Sequence, residues 1–227
     1  MRDRIKELEY FNNFINEDLA RINKFKDKLE RGEVKQERVF AVKAKMHDLK
    51  LGILIAKYSR GDDILTLKED YLKLVDDWEE VWEAEYYNKI LKMLSLAVLF
   101  AIEKTSVDKI KNLLEKSNID DWLLAFLINS FSGEQTEENK NLLFCEAFYT
   151  LKKVVYKDNK IELLKEYLCK EWYNKDCGCY EAHKSKQNIY YGYWSFEAGA
   201  IAKILNIDDR NLTDAPYYPY DLVHYIK

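Results

Sequence analysis

The sequence predicts an all-α protein of many helices, and three observations carry that prediction. Only 7 Gly and 2 Pro occur in 227 residues, too few turn formers to separate many short strands. Apolar residues recur at steps of three and four, the spacing of a helix face. No segment outside short loops shows the strict alternation of a half-buried strand. A chain of this length buries roughly 70% of the surface its unfolded form exposes, so it needs no covalent staples.

The first helix is expected from Ile5, with Leu8, Phe11, Ile15, Leu19, Ile22, Phe25 and Leu29 inward, and Gly32 ends it. A second is expected over Val34–Tyr58, stopping at Gly61. A third begins near Ile64 and is expected to run on to about Glu103, with Tyr71, Leu74, Val75, Trp78 and Trp82 inward and Asp76, Glu80 and Glu83 opposite. Ser106 caps a short helix to Lys116, and Asp120 starts another that ends near Phe131. After a polar stretch in which Thr136 is a cap, helices are expected over Asn139–Tyr156, Lys160–Tyr173 and Tyr193–Leu205. Polar residues at 104–119 mark the expected boundary between an amino-terminal long-helix domain, 1–110, and a carboxyl-terminal helical domain, 118–227, packed against it.

The chain begins Met-Arg-Asp-Arg-Ile-Lys-Glu, without the apolar core of a secretory signal, and Leu94–Ile102 falls short of the roughly 20 apolar residues that span a bilayer. A cytoplasmic location with no membrane contact is expected. The formal charge of −4 argues against direct nucleic-acid binding. Its distribution is uneven: from Asp62 to Glu85 ten acids face only Lys68 and Lys73, a net −8. Asp76, Asp77, Glu80 and Glu83 head the candidates for meeting a positively charged partner. The alternative for the same residues is a solvated helix face.

Catalytic chemistry is not visible. Cys169, Cys177, Cys179 and His183 are the residues that could hold zinc, but one residue separates Cys177 from Cys179 and Cys169 has no near mate, a poor match to paired ligands. No metal and no cofactor are expected. A Cys–His nucleophilic pair lacks an orienting third group. Glu197 lies beside the apolar face of its helix, three after Trp194 and four before Ile201, and is expected to be a structural carboxylate hydrogen-bonded to tyrosine hydroxyls or backbone N–H groups. Tyr217, Tyr218 and Tyr220 lack neighbouring cations and read as rings packed on the last helices rather than as a base-stacking platform.

Two aromatic strings add a resemblance. Residues 190–209 read YYGYWSFEAGAIAKILNIDD and residues 217–222 read YYPYDL. Together they resemble the carboxyl-terminal domain of the PoNi family, immunity proteins of polymorphic nuclease effectors, and residues 9–39 are similar to that family's amino-terminal helical domain. The resemblance covers nearly the whole chain. It implies a non-enzymatic antidote that binds a cognate DNase toxin delivered between bacteria by a secretion system. No catalytic residue is carried over. Gly192, Tyr193, Trp194, Phe196, Glu197, Tyr217, Tyr218, Pro219, Tyr220 and Asp221 are read as determinants of the fold, with Gly192 permitting a turn, Trp194 and Phe196 packing, and Pro219 fixing the return of the tyrosines. The rival readings are a helical scaffold that assembles into homo-oligomers, or a helical hydrolase whose carboxylates hold metal.

Overall fold

In the computed structural model, which describes residues 1–174 and 179–225, ten α-helices follow one another through turns and loops, and no strand occurs among the described residues. The chain divides into two compact units. The first comprises Met1–Glu83 with Glu181–Tyr193, the second Ala84–Tyr180 with Trp194–Lys227. The polar stretch at 104–119 lies inside the second unit.

The first unit contains α1 (Leu8–Glu30), α2 (Val39–Arg60) and α3 (Ile64–Asp77). α2 packs against both neighbours. Its carboxyl-terminal half, Leu51–Ala56, is therefore buried on every side, as expected of a helix apolar all round. Gly61, at φ +103°, ends α2 in the left-handed region, its N–H reaching Lys57 O and Tyr58 O. Asp63 opens α3, its carboxylate accepting from Thr66 N–H. The predicted face of α1 is rotated: Phe14 and Asp18 turn inward with Phe11, Ile15 and Ile22, whereas Leu8 and Leu19 are exposed. The distant segment 181–193 completes this unit. Tyr190 is buried and donates its hydroxyl to Asp3, Tyr10 Oη donates to Tyr190 O (3.0 Å), and Ser59 Oγ donates to Tyr191 O (2.7 Å).

The predicted third helix does not continue to Glu103. α3 ends at Asp77, a 3-10 turn follows over Trp78–Val81, and α4 starts afresh at Tyr87. Asp76, Asp77, Glu79 and Glu80 place negative charge at the carboxyl end of α3, where the helix dipole opposes it, and no basic residue stands in the last turn.

The second unit holds α4 (Tyr87–Leu99), α5 (Lys104–Lys116), α6 (Trp122–Asn129), α7 (Cys145–Tyr156), α8 (Lys160–Glu166), α9 (Phe196–Ile204) and α10 (Tyr220–Val223). α4 and α9 pack together at its centre, both almost wholly buried. α8 runs into a π-helical turn, Tyr167–Glu171. Four predicted starts move, that of α9 from Tyr193 to Phe196. α5 opens after Glu103 without a Ser106 cap. Asp121, not Asp120, caps α6, accepting from Leu124 N–H (2.9 Å). α7 starts at Cys145 rather than Asn139, because the preceding backbone is bonded elsewhere: Asn141 O accepts from Trp122 N–H, and Leu143 N–H donates to Asp121.

Candidate partner-docking surface

The acidic stretch faces a basic one. Lys43, Lys50 and Lys57 stand seven residues apart, two turns of helix, along one side of α2. They meet Glu80 at 2.8 Å, Asp77 at 2.6 Å and Asp70 at 2.6 Å, and Arg60 pairs with Asp62 at 2.6 Å. With these four cations counted, the −8 of residues 62–85 becomes −4 locally. Of the four predicted docking residues, Asp77 and Glu80 thus stand in ion pairs with α2; Asp76 is exposed at the end of α3, and Glu83 is half-buried beyond the 3-10 turn. The outer two pairs are open to solvent, with Glu80 69% and Asp77 51% exposed, while Asp70 is only 28% exposed. Burial alone would raise the Asp70 pKa, but hydrogen bonds from Lys57 and Lys73 outweigh it and hold the carboxyl below its ordinary value. Beneath the surface Trp78 is buried, with His47 stacked on it at 6.3 Å and Trp82 leaning on it at 5.0 Å. His47 Nε2 lies 3.0 Å from Leu74 O, fixing the last turn of α3 to α2.

Within the first unit, Gly192 is buried at φ +115°, and the Tyr193 hydroxyl engages His183 Nδ1 at 2.7 Å and accepts from His183 N–H. Within the second, Trp194 is half-buried and Phe196 buried. Glu197 is buried and accepts from Ser195 Oγ (2.7 Å) and Tyr167 Oη (2.9 Å). Burial, followed by the Glu197 charge, raises the Tyr167 pKa well above that of a free phenol, so this hydroxyl stays a donor.

Tyr217 has φ +65°, unusual for a residue with a side chain; its carbonyl accepts from Ser195 N–H (2.7 Å), and its ring stacks on Tyr173 and lies 4.7 Å from Trp172. Tyr218 is buried and donates to Asp209 (2.6 Å), which His224 Nε2 also meets at 2.8 Å. Pro219 precedes α10 and lies against Gly199, Tyr220 packs on His224, and Asp221 is exposed. The strings therefore meet at Ser195 with Tyr217, Gly199 with Pro219, Asp209 with Tyr218 and Lys203 with Leu222.

Several partners of the strings carry no motif in the sequence. Asp209, Ser195 and Gly199 sit inside the first string, and a glycine in the middle of a helix is the one local signal among them. Lys203 closes the ends of two helices, its ammonium donating to Leu99 O (2.7 Å), Tyr225 O (2.7 Å) and Leu222 O (3.2 Å). Of the zinc candidates, Cys177 lies outside the described residues, Cys169 is exposed, and His183 is occupied with Tyr193. Among the described residues no group of three or more His, Cys, Asp or Glu is arranged to hold a metal. Nor, among them, is any helix long and apolar enough to cross a membrane.

These features define a helical protein whose polar network holds its own frame and whose exposed chemistry is charge and aromatic surface. Family models match both parts: "PoNe immunity protein (PoNi), N-terminal" over residues 2–112, and "PoNe immunity proteins (PoNi), C-terminal" over residues 119–222. The chain belongs to the PoNe immunity protein family. No curated protein matches it. Among solved structures, protein PA2201 from Pseudomonas aeruginosa has a TM-score of 0.73 at 18% identity, over 99% of this chain and 89% of that one, a likeness of fold alone.

Proposed function

We propose that this protein acts in the cytoplasm as the antidote to a cognate nuclease toxin, binding it and blocking its activity without catalysing any reaction. The observation that carries the reading is the match of both halves to one immunity family. The acidic surface supplies a physical route. A nuclease must present positive charge to hold a phosphate backbone, so acids can compete for that groove and speed encounter. The ion pairs Lys43–Glu80 and Lys50–Asp77 do not forbid this, because solvent-exposed pairs are worth only about 0–1 kcal/mol each and can be exchanged for arginines of a partner. Asp76, exposed at the end of α3, and Glu83, half-buried beyond the 3-10 turn, are the neighbouring acids of this stretch.

The test is co-production with the nuclease encoded beside the gene. The protein should restore growth to cells making that toxin, and the purified pair should form a complex in which DNA cleavage is lost. Failure to protect and to bind would remove the reading. Metal-dependent hydrolysis by the pure protein would favour an enzyme, and self-assembly without a toxin partner a scaffold.

A further inference from the structure

The connection between α6 and α7, Ser130–Phe144, has 15 residues and no helix of its own, whereas unstructured loops beyond about 12–15 residues are uncommon in compact domains and usually functional. It is nonetheless pinned. Tyr156 Oη donates to Thr136 O (3.0 Å), Lys152 Nζ to Lys140 O (3.0 Å), Trp122 N–H to Asn141 O (2.6 Å) and Leu143 N–H to Asp121 (2.9 Å). Asp121 is itself buried and held by Tyr87 Oη at 3.0 Å. These bonds make the loop the fixed wall of a cleft of about 700 Å³ within the second unit, opposite α5 and α6.

The lining indicates what fits. Ligand pockets for small molecules are mostly apolar with a few polar groups. Here five side-chain amides, Asn118, Asn129, Gln135, Asn139 and Asn141, line the cleft beside a few apolar residues, with Asn129 donating to Thr136 Oγ1 (3.1 Å). A primary amide donates and accepts at once, the same pairing capacity as a peptide group. Four carboxylates line the cleft against two lysines; Asp120 pairs with Lys140 and Asp121 is buried, so Glu115 and Glu137 against Lys111 leave its open face negative, which repels a phosphate backbone and attracts a cationic chain. A volume of this size, inside the roughly 300–1,000 Å³ that encloses drug-sized ligands, holds a few residues of polypeptide.

We propose that this cleft docks an extended, positively charged segment of the nuclease toxin; the proposal rests on the immunity reading above and names a docking site separate from the acidic edge of α3. The pinned wall loses little freedom on binding, so less ordering entropy opposes the complex. Glu115 and Glu137 flank the cleft from α5 and from the loop and supply the charge that selects a cationic segment.

The test measures the affinity of the full-length protein for a catalytically inactivated form of the neighbouring toxin by calorimetry. The variant carries Gln135→Arg, Glu137→Lys and Asn139→Arg together, exposed positions whose side chains take no part in the pinning bonds. Affinity should fall about tenfold or more, with helical circular dichroism and thermal midpoint unchanged. On the unmodified protein, hydrogen exchange should slow over residues 111–141 when the toxin is added. Equal affinity of variant and parent, protection confined to other segments, or protection of this cleft by a DNA oligonucleotide instead would each overturn the proposal. If the unmodified protein forms no complex, the immunity reading falls with it; if it binds and the variant binds equally, only the cleft falls.

Discussion

Gly199 and Pro219 are packed so closely that a Cβ on Gly199 would stand 2.6 Å from Pro219 Cγ, with Pro219 Cδ and Val223 Cγ2 at 3.2 Å. The contact seats the ring that precedes α10 directly on α9, so two parts of the chain twenty residues apart depend on one missing methyl group.

Gly199→Ala should therefore destabilise the protein, although alanine is the better helix former by about 1 kcal/mol. Overpacking typically costs about 1–3 kcal/mol, and the obstacle is a rigid ring rather than the end of a flexible side chain. The urea midpoint should fall. A midpoint equal to or above the parent's would show that Pro219 moves aside freely.

At Tyr217 the backbone and the ring can be separated by comparing two replacements. Tyr217→Gly and Tyr217→Ala both lose the stack on Tyr173 and Trp172, but only glycine adopts φ +65° without strain. The glycine variant should be the more stable by about 1–2 kcal/mol in denaturant unfolding. No difference would mean the left-handed turn relaxes once the ring is gone.

Tyr167→Phe removes one of the two hydroxyl donors to Glu197 and leaves a buried carboxylate less satisfied. A loss of about 1–3 kcal/mol is expected, read as a lower thermal midpoint. An unchanged midpoint would place the carboxylate's main support elsewhere.

Asp70 gives a pH dependence of known sign. Its folded pKa lies below the ordinary 3.8 because hydrogen bonds from Lys57 and Lys73 outweigh burial. A carboxyl depressed on folding contributes stability above its unfolded pKa and loses it as pH falls through the folded value. Lys57→Met should move Asp70 upward in a carbon-detected titration and shrink that acid-labile contribution, whereas an unmoved titration would assign the depression to Lys73 alone.

Neutralising the acidic edge, with Asp76→Asn, Asp77→Asn, Glu80→Gln and Glu83→Gln combined, should slow association with the toxin by about tenfold at low salt. Neutral replacements avoid setting new lysines against Lys43 and Lys50. The difference should fade near physiological ionic strength, where charges more than about 8 Å apart are screened. Association as fast as the parent's at low salt would leave these acids as a solvated face.

Much of the helical frame was legible in the sequence because its signals are local. The second helix stops at Gly61, the third begins at Ile64, and Glu197 is hydrogen-bonded to a tyrosine hydroxyl, all as the sequence predicts. What escaped was tertiary. The break at Asp77 follows from acids accumulating at a helix end, yet the same residues fit the apolar period of one long helix. The seven-residue spacing of Lys43, Lys50 and Lys57 is plain in the sequence, but nothing there says that it faces Glu80, Asp77 and Asp70. The start of α7 could not be found because Asn139–Leu143 makes its bonds to Asp121 and Trp122, about twenty residues away.

The bond from Tyr190 to Asp3 spans 187 positions, which bears on how the protein is made. When Glu83 leaves the ribosome, the sequence of α1 to α3 is complete, but Tyr190 and Tyr191, which pack on Phe11 and Phe14, emerge only about 110 residues later. At roughly 5–20 residues per second the nascent unit waits on the order of 5–20 s with those phenylalanines uncovered. A message truncated after the amino-terminal half would yield a chain without these tyrosines, so the first unit becomes complete only when translation is nearly finished.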